Sequence, residues 1–477
     1  MAGSVEYTLG IDLGTSGCKV LALDVGGRLL ATAEVRYPMV VPRPGWAEQH
    51  PRSWWRAAAR GVRSLLARLP PGATAIGVGV TGQMHSLVAL DSRRRVIRPA
   101  ILWCDQRSER QAELLAELVG ETTLSEITLN PSRGAFTGSK LLWLREHEPD
   151  AYAQLRHAML PKDWLVGQLT GRIVTEPSDA SGTGLFDVAA TSWSALILDR
   201  LDIDPAIFAA PEPSFSVVGY VLPEVAPALG LPAGIPVVAG GGDQAAAAYA
   251  AGATGPGVIA CDLGTSAAVL ASQPGPVPGC LSHVLADQWL YLTSTHAGTL
   301  CLDWWSRVAG RGRARPAEVL RAAAASVPGA RGVRFTPVLM GERDPVRGRP
   351  PLTGSLRGLR AEHTGADLAR AVIEGVAFEI RRIARPVPSG GAPQQWRVLG
   401  GGAKATLLVQ TLADVLHQPL HVLPDASSTG GAAQLAWRGL GVRVPPPRAG
   451  EGEFRPSDGI DYDYDTDFDA YCAEWSG

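Results

Sequence analysis

Apolar residues in this chain come in short bursts separated by stretches in which they recur at helical spacing. The bursts Tyr7–Ile11, Lys19–Asp24, Leu29–Tyr37, Ile76–Thr81, Leu87–Asp91, Pro236–Ala239, Val258–Cys261, Ala268–Ala271, Leu290–Thr293 and Trp396–Leu399 predict strands. Between them, Pro51–Leu69, Ser108–Leu118, Ser139–Glu146, Asp163–Leu169, Gln244–Ala251, Thr299–Val308, Ala366–Ile383 and Ala405–Leu416 predict helices. Strands alternating with helices predict an α/β fold whose mixed sheets are covered on both faces. The Arg- and Ala-rich stretch 309–332 predicts a helix with a solvated basic face. The stretch Asp461–Asp469, where Asp alternates mostly with aromatics, predicts a solvated terminal segment.

The pattern repeats once. Asp12-Leu-Gly-Thr-Ser recurs as Asp262-Leu-Gly-Thr-Ser, 250 residues later. Each copy ends one apolar strand and precedes another, so each half is expected to open with a β-hairpin. Glycine in such a turn permits positive φ and lets backbone N–H groups approach a phosphate. The Thr and Ser hydroxyls add donors. Two such hairpins facing across a cleft would clamp the two ends of a triphosphate. The repeat divides the chain into an expected N-terminal domain, 1–245, and a C-terminal domain, 246–477, with a hinge near 236–258.

Composition narrows the function. The chain has 477 residues, 46% hydrophobic and 19% charged, which excludes a disordered protein. Basic and acidic residues balance to −2, so a nucleic acid is not an expected partner. No run of 18 apolar residues exists, and the N-terminal stretch lacks a basic, apolar leader, so neither a membrane nor secretion is expected. Six scattered Cys without a CxxC argue against a disulfide scaffold or structural zinc and predict a cytoplasmic setting. GxxxxGK[ST], HExxH and GxSxG are all absent. Four Lys (Lys19, Lys140, Lys162 and Lys404) stand against forty Arg, so the place of each Lys is informative.

Four segments carry candidate chemistry. Gly240-Gly-Gly-Asp-Gln ends a strand and opens a helix; Asp243 there is either a helix cap or a general base for a hydroxyl nucleophile. Gln83-Met-His ends another strand, as a polar turn or a ligand site. Trp103, Asp105 and Arg107 alternate, which in an extended chain sends them to one side, as a sugar-binding face or a core Trp with an ion pair. Gly400-Gly-Gly-Ala-Lys starts a helix, as a tight turn or a close approach to a flat or anionic ligand.

Together these segments resemble the FGGY carbohydrate kinases. The matching pieces are Asp12-Leu-Gly-Thr-Ser, Gln83-Met-His, Trp103-Cys-Asp, Lys140-Leu-Leu-Trp-Leu-Arg-Glu-His, Pro161-Lys-Asp-Trp, Gly240-Gly-Gly-Asp, Gly264-Thr-Ser, Gly341-Glu-Arg, Gly354-Ser-Leu-Arg-Gly-Leu, Leu368-Ala-Arg-Ala-Val-Ile-Glu and Gly400-Gly-Gly-Ala. The resemblance covers nearly the whole chain, in order. It implies two actin/hexokinase-like (ribonuclease H-like) domains flanking a cleft, and phosphoryl transfer from ATP to a sugar hydroxyl. It also implies roles. Asp243 would be the general base and Asp12 would hold Mg²⁺. Thr15, Ser16, Gly264 and Thr265 would contact phosphates, with Lys19 nearby, while Gly401, Gly402 and Ala403 would border the nucleoside. Met84, His85, Trp103, Asp243 and Gln244 would line the sugar site. The Gln-Met-His and Pro-Lys-Asp pieces, and the Glu48-Gln-His-Pro context, resemble most the members that act on D-xylulose. The implied partners are therefore a small sugar and ATP, and any self-association is expected to be a homodimer.

Three departures bear on the acceptor. Gln244 stands where xylulose-type members usually have Asn, Cys104 replaces an Asn, and Asp344 follows Gly-Glu-Arg where a Thr is usual. Glycerol-type members carry Arg-Glu around 83–85, so glycerol is not favoured. Ribulose, another polyol or a sugar acid stays open as acceptor. A non-kinase ATPase of the same fold is disfavoured, because the motifs use the chain almost to its end.

Overall fold

The protein is described by a computed structural model at residues 5–309, 316–342, 352–388, 394–445, 452–459 and 462–475. Asp344 lies outside these residues. The described residues form two compact units. One takes in the chain up to 254 with 272–291 and 427–447; the other takes in 255–271, 292–426 and the chain from 448 onward.

The first unit is built on a mixed sheet. Strands β1 (Glu6–Leu13) and β2 (Gly17–Asp24) form an antiparallel hairpin that sets Asp12 opposite Lys19. Strand β3 (Leu29–Arg36) pairs with β2. Helix α1 (Pro51–Leu66) opens with Pro and buries Trp54, Ala57, Ala58, Gly61, Val62 and Leu65 at helical spacing. Strand β4 (Thr74–Gly82) then runs parallel to β1 and brings Thr81 beside Asp12. Strands β5 (Val217–Tyr220), β6 (Pro236–Val238) and β7 (Gly241–Gly242) lead into helix α2 (Asp243–Ala250). The sheet order is β5-β6-β4-β1-β2-β3, with β7 paired to the end of β4. Every residue of β1 except Glu6 is buried, as its apolar run requires in a central strand.

The second unit repeats this plan. Strands β8 (Val258–Leu263) and β9 (Ala267–Gln273) form the second hairpin. Helix α3 (Gly365–Ala384) starts at a capping box made by Thr364 and Asp367. Strand β10 (Gln395–Leu399) lies parallel to β8, as β4 lies parallel to β1. After helix α4 (Thr406–Leu416), strand β11 (Leu420–Val422) pairs parallel to β10. Helix α5 (Ser428–Gly439) packs in the first unit, on β1 and β4. The chain closes the second unit with β12 (Glu453–Phe454) and helix α6 (Tyr464–Ala473).

Three expectations change. Residues 462–469 are not a solvated segment: Tyr464, Phe468 and Tyr471 are buried at helical spacing on α6, and the Asp463 side chain caps it by accepting from the Asp465 and Thr466 N–H groups; Asp461 lies outside the described residues. The alternation of Asp with aromatics was therefore an amphipathic helix seen at too short a period. Within 309–332, α-helix covers Pro316–Ala323, which buries Val319 and Ala323; 310–315 lie outside the described residues. Helix α5, with its run Thr429-Gly-Gly-Ala-Ala, had no place among the expected helices. No described helix is long and apolar enough to cross a membrane.

Candidate active site

The first loop, Gly14-Thr-Ser, is fixed from below. The Gly14 N–H donates to Gly17 O (3.0 Å) and the Tyr37 hydroxyl to Gly14 O (2.6 Å). The Trp103 indole N–H donates to Thr15 Oγ1 at 2.9 Å, and the Gln49 amide donates to Thr15 O at 2.6 Å. Gln83 donates to the same Gln49 (3.2 Å), whose Oε1 also receives the Trp54 indole N–H at 2.9 Å. Trp103 thus holds the loop. Its neighbours do not share its direction, because the segment turns at Trp103 instead of extending. Asp105 and Arg107 form a buried bidentate pair (2.8 and 2.7 Å), and the guanidinium lies 3.6 Å from the Trp46 ring centre. Of the two readings the alternation left open, Asp105 and Arg107 follow the ion-pair one, the pair being buried, while the Trp103 indole turns to Thr15.

Asp12 sits at the end of β1 against the start of α5. Its Oδ2 accepts from the Ser428 hydroxyl at 2.6 Å and more weakly from Thr429 at 3.4 Å. Its buried Oδ1 has no hydrogen-bond partner among the described residues. Burial pushes the carboxyl above the usual range, against the lowering pull of Ser428 and of Lys19. An orphaned carboxylate oxygen beside a phosphate-type loop fits a Mg²⁺ ion, which takes one or two carboxylates and completes its shell with water and substrate phosphate.

A second group assembles where β4 and β7 end. Met84 lies against Gly242: a Cβ there would stand 3.0 Å from its Sδ and Cε. His85 is buried with φ +63°, and its ring approaches Gly182, whose carbonyl lies 2.6 Å from Nδ1. A carbonyl oxygen can only accept, so Nδ1 is the donor in that contact. Asp243 is the first residue of α2, so it stands at the C-terminal end of the strands with the helix dipole behind it. Gln244 follows, and its Oε1 is buried without a partner among the described residues. Met84, His85, Asp243 and Gln244 are thereby held in one neighbourhood of one unit.

The same unit holds a buried charge cluster. The Lys162 ammonium, wholly buried, is 2.5 Å from Asp163, 3.6 Å from Glu176 and 3.9 Å from Asp179. Burial alone would lower its pKa, but the three carboxylates raise it. Burial, with the neighbouring Asp163, Glu176 and Asp243 charges, lifts the Asp179 carboxyl well above its ordinary range. Lys140 is also wholly buried; its ammonium donates to the carbonyls of Gly134 and Ala135, and burial lowers its pKa to about 7. Lys19 and Lys404 are exposed.

In the second unit the loop Gly264-Thr-Ser closes one residue tighter than the first, through Gly264 N–H to Ser266 O at 2.9 Å. The Gly264 and Thr265 carbonyls accept from the N–H groups of Thr299 and Leu300, which leaves the exposed Thr265 and Ser266 hydroxyls outward. Gly400 takes φ +86° and passes so close to Asp262 that a Cβ would lie 2.5 Å from its Oδ1. The glycines that follow differ. A Cβ on Gly402 would meet Leu263 at 2.6 Å, whereas Gly401 is exposed with nothing within 4 Å. Ala403 is buried.

The N-terminal domain model of the FGGY family of carbohydrate kinases matches residues 7–250, and its C-terminal domain model matches 259–440. The chain belongs to the FGGY family of carbohydrate kinases. It is 36% identical to a xylulose kinase of Escherichia coli (strain K12), over 90% of this chain and 89% of that one. It is 34% identical to a xylulose kinase of Bacillus subtilis (strain 168), over 92% and 89%. The solved xylulose kinase of Rhodospirillum rubrum superposes with a TM-score of 0.87 at 27% identity, covering 98% of each chain. The two mixed sheets with their paired hairpins are thus the two-domain, actin/hexokinase-like fold of an FGGY kinase. Sequence reasoning about this kinase missed Ser428 and Thr429 on Asp12, and Glu176 and Ser178 behind Asp243. Glu176-Pro-Ser does carry a helix-start signal, Pro in the first turn, that could have drawn attention to it.

Proposed function

We propose that this carbohydrate kinase transfers the γ-phosphate of ATP to a hydroxyl of D-xylulose, giving D-xylulose 5-phosphate and ADP. The observation that carries this reading is the position of Asp243 as the first residue of α2, directly after Gly242, against which Met84 packs. Relatives named xylulose kinase at 31–36% identity, over about nine-tenths of the chain, support the choice of sugar.

Asp243 accepts the proton of the attacking hydroxyl as its oxygen bonds to the γ-phosphorus and the bond to the bridging oxygen of ADP breaks. Met84, His85, Trp103 and Gln244 are assigned to orient the sugar, Trp103 also bracing the Thr15 loop through its indole N–H. Thr15, Ser16, Gly264 and Thr265, with Lys19, are assigned to the phosphates; Gly401, Gly402 and Ala403 to the nucleoside. Asp12 is the residue that would hold Mg²⁺, which when bound neutralises phosphate charge. Chemistry of this class rests on positioning and charge stabilisation.

The test is sugar-dependent ADP release by wild type and Asp243→Ala across D-xylulose, D- and L-ribulose, glycerol and gluconate. Loss of a general base costs about 10²–10⁴-fold. The expected result is D-xylulose as best acceptor, and a variant that still binds ATP with turnover reduced by at least that factor. Turnover within tenfold of wild type removes Asp243 from the role. A different best acceptor reassigns the substrate, to which Gln244 and Cys104 would then be the first contributors to examine.

A further inference from the structure

The carboxylate of Glu176 is saturated. It is wholly buried, and four donors reach it: Ser178 N–H (2.9 Å), Asp179 N–H (2.8 Å), Ser178 hydroxyl (2.8 Å) and Ser214 hydroxyl (2.7 Å). A carboxylate offers about four lone-pair sites, and all are used. Because Glu176 can only accept from these groups, it fixes the proton of each serine hydroxyl. The Ser178 hydroxyl must donate to Glu176, so its lone pairs are turned to receive the Gly242 N–H at 3.0 Å. Ser214, held by its hydroxyl, presents its backbone carbonyl to the Gly240 N–H at 2.8 Å. From the opposite side the Thr81 hydroxyl of β4 donates to Gly241 O at 2.7 Å. Three consecutive glycines are therefore pinned, and the next residue is Asp243. They cannot be stiffened by side chains, since a Cβ on Gly240 would lie 1.8 Å from Val80 O and one on Gly241 2.6 Å from Val284 Cγ1. Polar anchors supply the rigidity instead, and Lys162 at 3.6 Å compensates the Glu176 charge.

We propose that Glu176, acting through Ser178 and Ser214, is the positioning residue that aims Asp243 at the sugar hydroxyl. The proposal rests on the general-base reading of Asp243. Glu176 does not touch the sugar; it sets where the base stands. Glutamine at 176 would aim an NH₂ at donors that need an acceptor, and Ser178→Ala would leave the Gly242 N–H without its partner.

The experiment measures kcat and KM for ATP and for the best sugar, with thermal stability, in the full chain carrying Ser178→Ala, Glu176→Gln, both changes, or Asp243→Ala. A misplacement of about 1 Å costs about 100-fold in rate. The expected result is a kcat reduced tenfold to a hundredfold in Ser178→Ala, with KM for ATP within twofold of wild type. The Glu176→Gln change, made on top of Ser178→Ala, should cost clearly less than it does alone, because both act along one path. If Glu176→Gln does not fold, Ser178→Ala decides alone. A Ser178→Ala kcat within twofold of wild type, while Asp243→Ala is inactive, overturns the positioning role and leaves the base intact. A kcat loss in Ser178→Ala matched by an equal rise in KM for ATP also overturns it. An active Asp243→Ala removes the base reading and the proposal with it.

Discussion

Gly10 is where a single methyl group tests the construction around Asp12, the carboxylate proposed to hold Mg²⁺. Gly10 of β1 and Gly79 of β4 are paired in register and together form the trough in which α5 lies. A Cβ on Gly10 would stand 2.0 Å from Thr429 O and 3.1 Å from Ala433 N; one on Gly79 would stand 1.9 Å from Ala432 O. Ordinary contact begins near 3.4 Å, so Gly10→Ala must move the start of α5 outward by about 1.4 Å. Ser428 and Thr429 travel with it, and the 2.6 Å Ser428–Asp12 hydrogen bond opens toward about 4 Å. Overpacking costs about 1–3 kcal/mol, and losing a hydrogen bond to a charged group about 1.5–3 kcal/mol more. The expected result is a clear fall in melting temperature and a loss of about 100-fold in kcat/KM, since a displacement of this size takes away the hydroxyls that orient the Asp12 carboxylate. Differential scanning calorimetry and coupled ADP release measure the two effects. The control is Gly275→Ala, where a Cβ meets nothing within 4 Å. A Gly10→Ala protein that melts within 1 °C of the control, with unchanged kcat/KM, would refute the close-approach argument.

Gly401→Ala adds a methyl group that touches no protein atom, so its melting temperature should match wild type. If Gly401 borders the nucleoside, KM for ATP rises several-fold; an unchanged KM moves the nucleoside elsewhere. His85→Ala should raise KM for the sugar and leave KM for ATP within twofold, which initial-rate kinetics with each substrate varied would check. Asp179→Asn tests the buried cluster through pH. Burial raises the Asp179 carboxyl above its unfolded value near 3.8, so its contribution to stability is present at low pH and lost as pH rises toward the folded value. The melting-temperature difference between Asp179→Asn and wild type should therefore grow in favour of the variant from pH 4 to pH 8. A difference that stays flat across that range would mean that Asp179 is ionised in the folded protein.

The repeat, the hairpins and the central strands of both sheets could be read directly from the chain, with several of the longer helices. Asp12-Leu-Gly-Thr-Ser and its second copy are local signals: an apolar strand, a small-residue turn and another strand need no distant partner to be recognised. Asp243 was likewise visible, because a strand, three glycines and an acidic residue opening a helix lie together in sequence. α6 was missed where the period was misjudged, since Asp-aromatic alternation over a few residues looks the same before three aromatics are seen to share a helical face. α5 was missed for another reason. Its Gly-Gly-Ala-Ala run scores poorly as a helix by propensity, and its reason to be helical is tertiary: a Cβ on Gly431 would lie 2.0 Å from Ala246 O, where α5 meets α2.

By itself the sequence determined the duplicated α/β plan and the two Asp-Leu-Gly-Thr-Ser hairpin loops, and it singled out Asp12 and Asp243, the two acidic residues to which the proposed chemistry is assigned. Only the tertiary structure decided what stands behind each acid. Ser428 reaches Asp12 across a separation of 416 residues, and Gly242 reaches Ser178 across 64. It also decided the division of the four lysines, with Lys140 and Lys162 buried and Lys19 and Lys404 exposed. The physical reason is the same in each case. Strand and turn preferences act over a few neighbouring residues, whereas hydrogen-bond partners and burial arise between segments whose proximity the fold alone creates.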